Sequence, residues 1–77
     1  MHKGFVLLNC DLGAEEFIVE ELRKISQVSQ AYVTFGAYDV IAEINTGSQE
    51  DFDETVSFKI RRLTRVVSTM TLNVIGS

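Results

Sequence analysis

Leu22-Arg23-Lys24-Ile25-Ser26-Gln27-Val28 and Ile60-Arg61-Arg62-Leu63-Thr64-Arg65-Val66 lie 38 residues apart and match in residue type at nearly every position. A repeat of that length is the size of one supersecondary unit. The chain therefore reads as two β-α-β halves in tandem.

Phe5 to Cys10 (FVLLNC) is a short apolar run between Gly4 and Asp11-Leu12-Gly13, which predicts a buried strand. Phe5 and Leu7 point to one face, and Val6, Leu8 and Cys10 to the other. Both faces of its sheet therefore need cover. From Ala14 the period changes. Ala14, Phe17, Ile18, Leu22 and Ile25 recur at spacings of three and four, with glutamates early and Arg23 and Lys24 late, an order that suits the helix dipole. The polar stretch Ser26 to Gln30 ends this helix near Ile25. A second strand is expected from about Gln30 to Phe35, with Ala31, Val33 and Phe35 on one face and Tyr32 and Thr34 on the other.

Gly36-Ala37-Tyr38-Asp39 interrupts the pattern with turn-forming residues before Val40 to Ile44 resumes strand character, so a hairpin is expected there. Ser48, with Asp51 three residues on, has the form of a capping box opening a second helix. Phe52, Val56, Ile60 and Leu63 make its buried stripe, and Phe58 falls off it. Val67 to Ile75 alternates, with Met70, Leu72 and Val74 on one face and Thr69, Thr71 and Asn73 on the other. Two halves of this kind close naturally as an α+β, ferredoxin-like β-α-β-β-α-β sandwich. In it a four-stranded antiparallel sheet carries both helices on one face, with the first and third strands central.

The 77 residues, 45% of them hydrophobic, make one domain, residues 1–77. A single core of this size contributes only ~3–5 kcal/mol of net stability. One cysteine makes no internal disulfide, and His2 and Cys10 alone do not form a metal site, so neither a metal nor a cofactor is expected. Self-association is the remaining way to stabilise the fold, through the sheet face opposite the helices. Seven Lys+Arg against eleven Asp+Glu give a charge of −4, the wrong sign for direct nucleic-acid binding. The basic cluster Lys59, Arg61, Arg62 and Arg65 reads as the solvated side of the second helix. No apolar run approaches a membrane span or a signal sequence, so a cytoplasmic protein is expected.

Candidates for chemistry are sparse. Cys10 ends an apolar strand, and His2 is placed in a frayed N-terminus, so a reactive Cys-His pair is not expected. The carboxylates lie on helix surfaces without convergence. Two features stand out: the Gly36-Ala37-Tyr38-Asp39 turn, and the hydroxyl row Ser68, Thr69 and Thr71. The ordinary readings are a plain hairpin with Asp39 on its own turn amides, and threonine as a good strand former.

Glu20 to Ile25, Ala31 to Ala42 with its Gly-x-Tyr-Asp turn, and the last strand with Thr69 and Thr71 resemble the effector-binding (RAM) domain of the Lrp/AsnC family of transcription regulators. The resemblance runs from about Phe5 to Ile75. It departs from the family in lacking the N-terminal helix-turn-helix, which suggests a stand-alone form of the domain, and in replacing a common Pro-Gly by Ser26-Gln27 and Thr64-Arg65. The resemblance implies homodimers joined by their open sheet faces as a dimeric α+β barrel, octameric rings of four dimers, and amino-acid effectors bound between dimers. By position it implies effector contacts from Gly36, Tyr38 and Asp39, with Thr69 and Thr71 contributing from the last strand. It further implies a non-enzymatic sensor that modulates transcription of amino-acid metabolism by contacting full-length regulators of the family. Three other readings compete with it: a barrel enzyme of the monooxygenase or isomerase kind, a purely structural oligomerisation module, and an RNA-binding ferredoxin-like domain whose aromatic signature is missing.

Overall fold

The first strand, β1 (His2–Cys10), runs down the middle of the sheet between β3 (Val40–Thr46) and β4 (Val66–Asn73), antiparallel to both. The remaining strand, β2 (Val28–Val33), pairs antiparallel with β3 on its far side. The strand order is therefore β2-β3-β1-β4. With α1 (Glu15–Arg23) and α2 (Gln49–Thr55) this is the expected β-α-β-β-α-β sandwich, seen in a computed structural model that describes residues 1–75. Side chains alternate across β1 as expected: Val6 and Leu8 are fully buried under the helices, and Phe5 and Leu7 face the other way, partly covered. The helix α1 lies over β2 and β3, and α2 over β3 and β1, which leaves β4 at the edge of the helix layer.

The tandem halves are visible in the hydrogen bonds. In the first, Ile25 N–H donates to Leu22 O and Val28 N–H to Ile25 O; in the second, Leu63 N–H donates to Ile60 O and Val66 N–H to Leu63 O. These two ladders sit on the 38-residue echo. The strands that follow share a further detail, because β2 slips register between Val28 and Gln30 and β4 between Val66 and Ser68, an extra residue at the same place in each half.

The structure revises several boundaries. Strand β1 begins at His2 rather than Phe5, and Gly4 lies inside it because the Phe52 ring rests on its Cα, where any Cβ would overlap the ring. His2 is not frayed. It pairs with Thr46, its Nε2–H donates to Asn73 Oδ1 at 2.8 Å, and its ring meets Phe52 edge-on at 4.8 Å. In α1, Phe17 is 41% exposed and Val19, at 6%, takes its place. At roughly 100° per residue Phe17 falls about 120° from the middle of the Ile18–Leu22 stripe, and Val19 about 80°. Strand β2 starts at Val28 and ends at Val33. Phe35 is consequently a fully exposed loop residue rather than a strand residue.

Ser48 caps α2 as expected, its Oγ accepting from Asp51 N–H at 3.1 Å. The helix then continues as a π-helix over Val56–Ile60, with Arg61 N–H donating to Val56 O. A strict four-residue spacing of Phe52, Val56 and Ile60 would drift roughly 40° per step around an α-helix. The wider turn absorbs that drift and keeps all three buried.

Candidate functional site

The β2–β3 loop, residues 34–39, holds Gly36, Tyr38 and Asp39. Thr34 closes it twice, its N–H donating to Asp39 O and its Oγ1 to Tyr38 O, both at 2.8 Å. Gly36 occupies the left-handed region at φ 129° with open space around its Cα, a conformation that favours glycine. The Asp39 carboxylate does not bond the amides of its own turn. The backbone N–H of Asp39 donates to Leu8 O at 2.9 Å, and its Oδ2 accepts from Cys10 N–H at 3.0 Å, so it extends the β1–β3 pairing past Val40. Loss of solvent pushes the Cys10 thiol up, and the carboxylates of Asp39, Glu15 and Asp11 push it further the same way, which makes it a poor nucleophile at neutral pH. Tyr38 leans over the open sheet face and its hydroxyl reaches Met70 Sδ at 3.4 Å.

One row of that open face is apolar across all four strands. Tyr32 pairs with Ile41, Ile41 with Leu7, and Leu7 with Met70, while Phe5 pairs with Leu72 in the next row. Tyr32, Met70 and Leu72 are each about half exposed, at 51%, 47% and 49%. A continuous patch of this kind marks an association surface.

Thr69 and Thr71 lie on the opposite side. They pair with Leu8 and Val6, and directly opposed residues share a face, so both threonines point to the helix side of β4. A charge at Thr71 would therefore not enter the open face; Met70 and Leu72 occupy that side. Within one chain the loop residues Gly36, Tyr38 and Asp39 are together, Tyr38 reaching Met70 on the open face, and the two threonines beside Met70 point to the other face of the sheet.

Thr71 borders a cavity of about 270 Å³ between α2, its π-helical extension and β4, lined by Asp53, Val56, Ser57, Arg61, Thr71 and Asn73. In the sequence Asp53 and Arg61 look like solvated helix residues; only the distance of β4 from the helix layer makes a groove beside them. A second cavity of about 420 Å³ lies between α1 and β2, lined by Glu16, Val19, Glu20, Arg23, Ala31, Tyr32 and Val33. No helix among the described residues is long and apolar enough to cross a membrane.

A family model described as the Lrp/AsnC ligand binding domain matches residues 3–77. The chain is similar to the crystal structure of FFRP-DM1, at 32% identity over 97% of this chain and 100% of that one, with a TM-score of 0.93. It is similar to TTHA0845 from Thermus thermophilus, at 27% identity over 100% and 96% of the two chains and a TM-score of 0.94. The fold also recurs in the transcriptional regulator NMB0573 from Neisseria meningitidis, solved as its L-Met complex, at 16% identity over 96% of this chain and 49% of that one, TM-score 0.85. No curated protein matches the chain.

Proposed function

The chain belongs to the Lrp/AsnC ligand-binding domain family, and from that premise we propose that it is a non-enzymatic amino-acid sensor whose binding site is completed between copies of the chain. The observation that carries this reading is the division of the site residues. Gly36, Tyr38 and Asp39 lie at one end of the open sheet face, and Thr69 and Thr71 on the reverse of the far edge strand, so a site using both sets takes the loop from one copy and the strand from another. Binding is then coupled to assembly. A ligand held only by the assembled form stabilises it by RT ln(1+[L]/Kd).

The chemistry suits an α-amino acid. The Asp39 carboxylate keeps one oxygen, Oδ1, outside the Cys10 bond for an α-ammonium, and threonine hydroxyls donate to an α-carboxylate. The L-Met complex of NMB0573 supports that ligand class. The homodimer forms through the apolar face of Phe5, Leu7, Ile41, Met70 and Leu72, and dimers assemble into rings of four. Its output is protein contact with full-length regulators of the family in the cytoplasm, which modulates transcription of amino-acid metabolism.

Calorimetry with each of the twenty amino acids tests the reading, and absence of heat with all of them, for folded protein, removes amino-acid sensing. The informative variant is Asp39→Asn, because the amide oxygen still accepts from Cys10 N–H while the charge is gone. Loss of a charge-assisted bond is worth about 1.5–3 kcal/mol, so affinity should fall roughly ten- to a hundredfold with the molar mass of the dimer unchanged. Parental affinity in Asp39→Asn would withdraw Asp39 from the site.

A further inference from the structure

Phe58, which falls off the buried stripe of the second helix, is a large apolar side chain turned to solvent, 59% exposed. A single residue of this kind needs no explanation by itself. Its neighbours on the outer face distinguish it. Glu50 and Glu54 stand two residues either side of the buried Phe52, about 200° away around an α-helix, so both lie on the side opposite the core. The π-helical turn brings Val56 and Ile60 into line on the core and leaves Phe58, midway between them, on the outer face. Arg62 follows four residues on, and its guanidinium lies over the Phe58 ring at 5.4 Å.

The outer stripe therefore reads acid, acid, aromatic, base in steps of four: Glu50, Glu54, Phe58, Arg62, all exposed. Glu50, Glu54 and Arg62 make no ion pair among the described residues. About 12 Å of helix separates Glu54 from Arg62, too far for them to pair within one chain. The stripe is, however, complementary to itself. Turned end for end about Phe58, Glu54 of one copy falls opposite Arg62 of the second copy, and Arg62 opposite Glu54. The same turn sets the acidic start of α2, Glu50 and Asp51, against the basic end of the other helix.

We propose that two copies of the chain pair antiparallel along this outer face of α2, Phe58 against Phe58 on a twofold axis, with a Glu54–Arg62 ion pair on either side of it. The contact is independent of what the chain binds and distinct from the open sheet face, because α2 covers the other side of the sheet. In a twofold contact each pair occurs twice, so modest terms double. Two single helices bury less than a standard interface, which places the contact at the weak end and makes it sensitive to salt. Alternating with the open-face contact on the opposite side of the sheet, it joins dimers into assemblies of even chain number.

The test is a charge exchange. Weight-average mass is measured by analytical ultracentrifugation, at one protein concentration and low salt, for the parent, for Glu54→Arg, for Arg62→Glu, and for an equal mixture of the two variants. Either variant alone sets like charges opposite each other at both pairs, so its association through this face should be roughly ten- to a hundredfold weaker and its mass lower. In the mixture, both pairs between unlike chains again carry opposite charges, so the parental mass should return. Both substitutions are at exposed positions, and circular dichroism should show the parental fold. Equal masses in all four samples, or a mixture no heavier than the single variants, would overturn the contact. Absence of heat with every amino acid would instead withdraw sensing and leave this contact standing.

Discussion

Phe52→Ala is expected to leave a chain that no longer melts as a cooperative unit. Phe52 is the largest fully buried side chain; its ring lies on Gly4 and meets His2 edge-on, and it begins the Phe52, Val56, Ile60 stripe. Truncating a buried phenylalanine costs about 3–5 kcal/mol, because the cavity left behind collapses only in part. A core of this size contributes about the same in total. Thermal melting followed by circular dichroism should show either no transition or a midpoint lower by roughly 12–40 °C, taking 4–8 °C per kcal/mol for a domain of this length. A fall of only a few degrees would mean that the Gly4–Phe52 contact does not organise the second half of the fold.

Leu72→Arg is expected to separate the proposed dimer while leaving the monomer folded. Leu72 is 49% exposed in the single chain and pairs with Phe5 on the open face, so a long charged side chain there has room in the monomer. Between two copies the same charge is desolvated without a partner, and an interface with twofold symmetry contains it twice. An uncompensated buried charge costs about 3–5 kcal/mol, which corresponds to a loss of more than a hundredfold in dimer affinity. Light scattering should give one chain mass at concentrations where the parent gives two or more. An unchanged mass would place the dimer elsewhere on the molecule. The comparison variant is Thr71→Arg, which points to the helix side and should leave this interface in place.

Element order and strand centrality are legible in the sequence because they follow from period and repeat. The alternation of Phe5 to Cys10 decides which face packs, and the 22–28 and 60–66 echo decides how the halves close. What is not legible depends on neighbours distant in sequence. Gly4 looks like a strand boundary because its role is to make room for a ring 48 residues away. The π-helix is hidden because the spacing of Phe52, Val56 and Ile60 also fits an α-helix approximately. The final strand alternates as its sequence suggests, yet only its pairing with β1 shows that Thr69 and Thr71, rather than Met70 and Leu72, turn toward the helices.

In the proposed function the apolar open face and the divided site serve one mechanism, in which assembly would stabilise a small core and the ligand would control assembly. Molar mass in solution, measured with and without each of the twenty amino acids, tests this most directly. Assemblies of two or more chains of 8.6 kDa are expected, with the distribution of sizes shifted by at least one amino acid at concentrations near its Kd. A mass of one chain under all conditions, or a larger mass that none of the twenty alters, would contradict it.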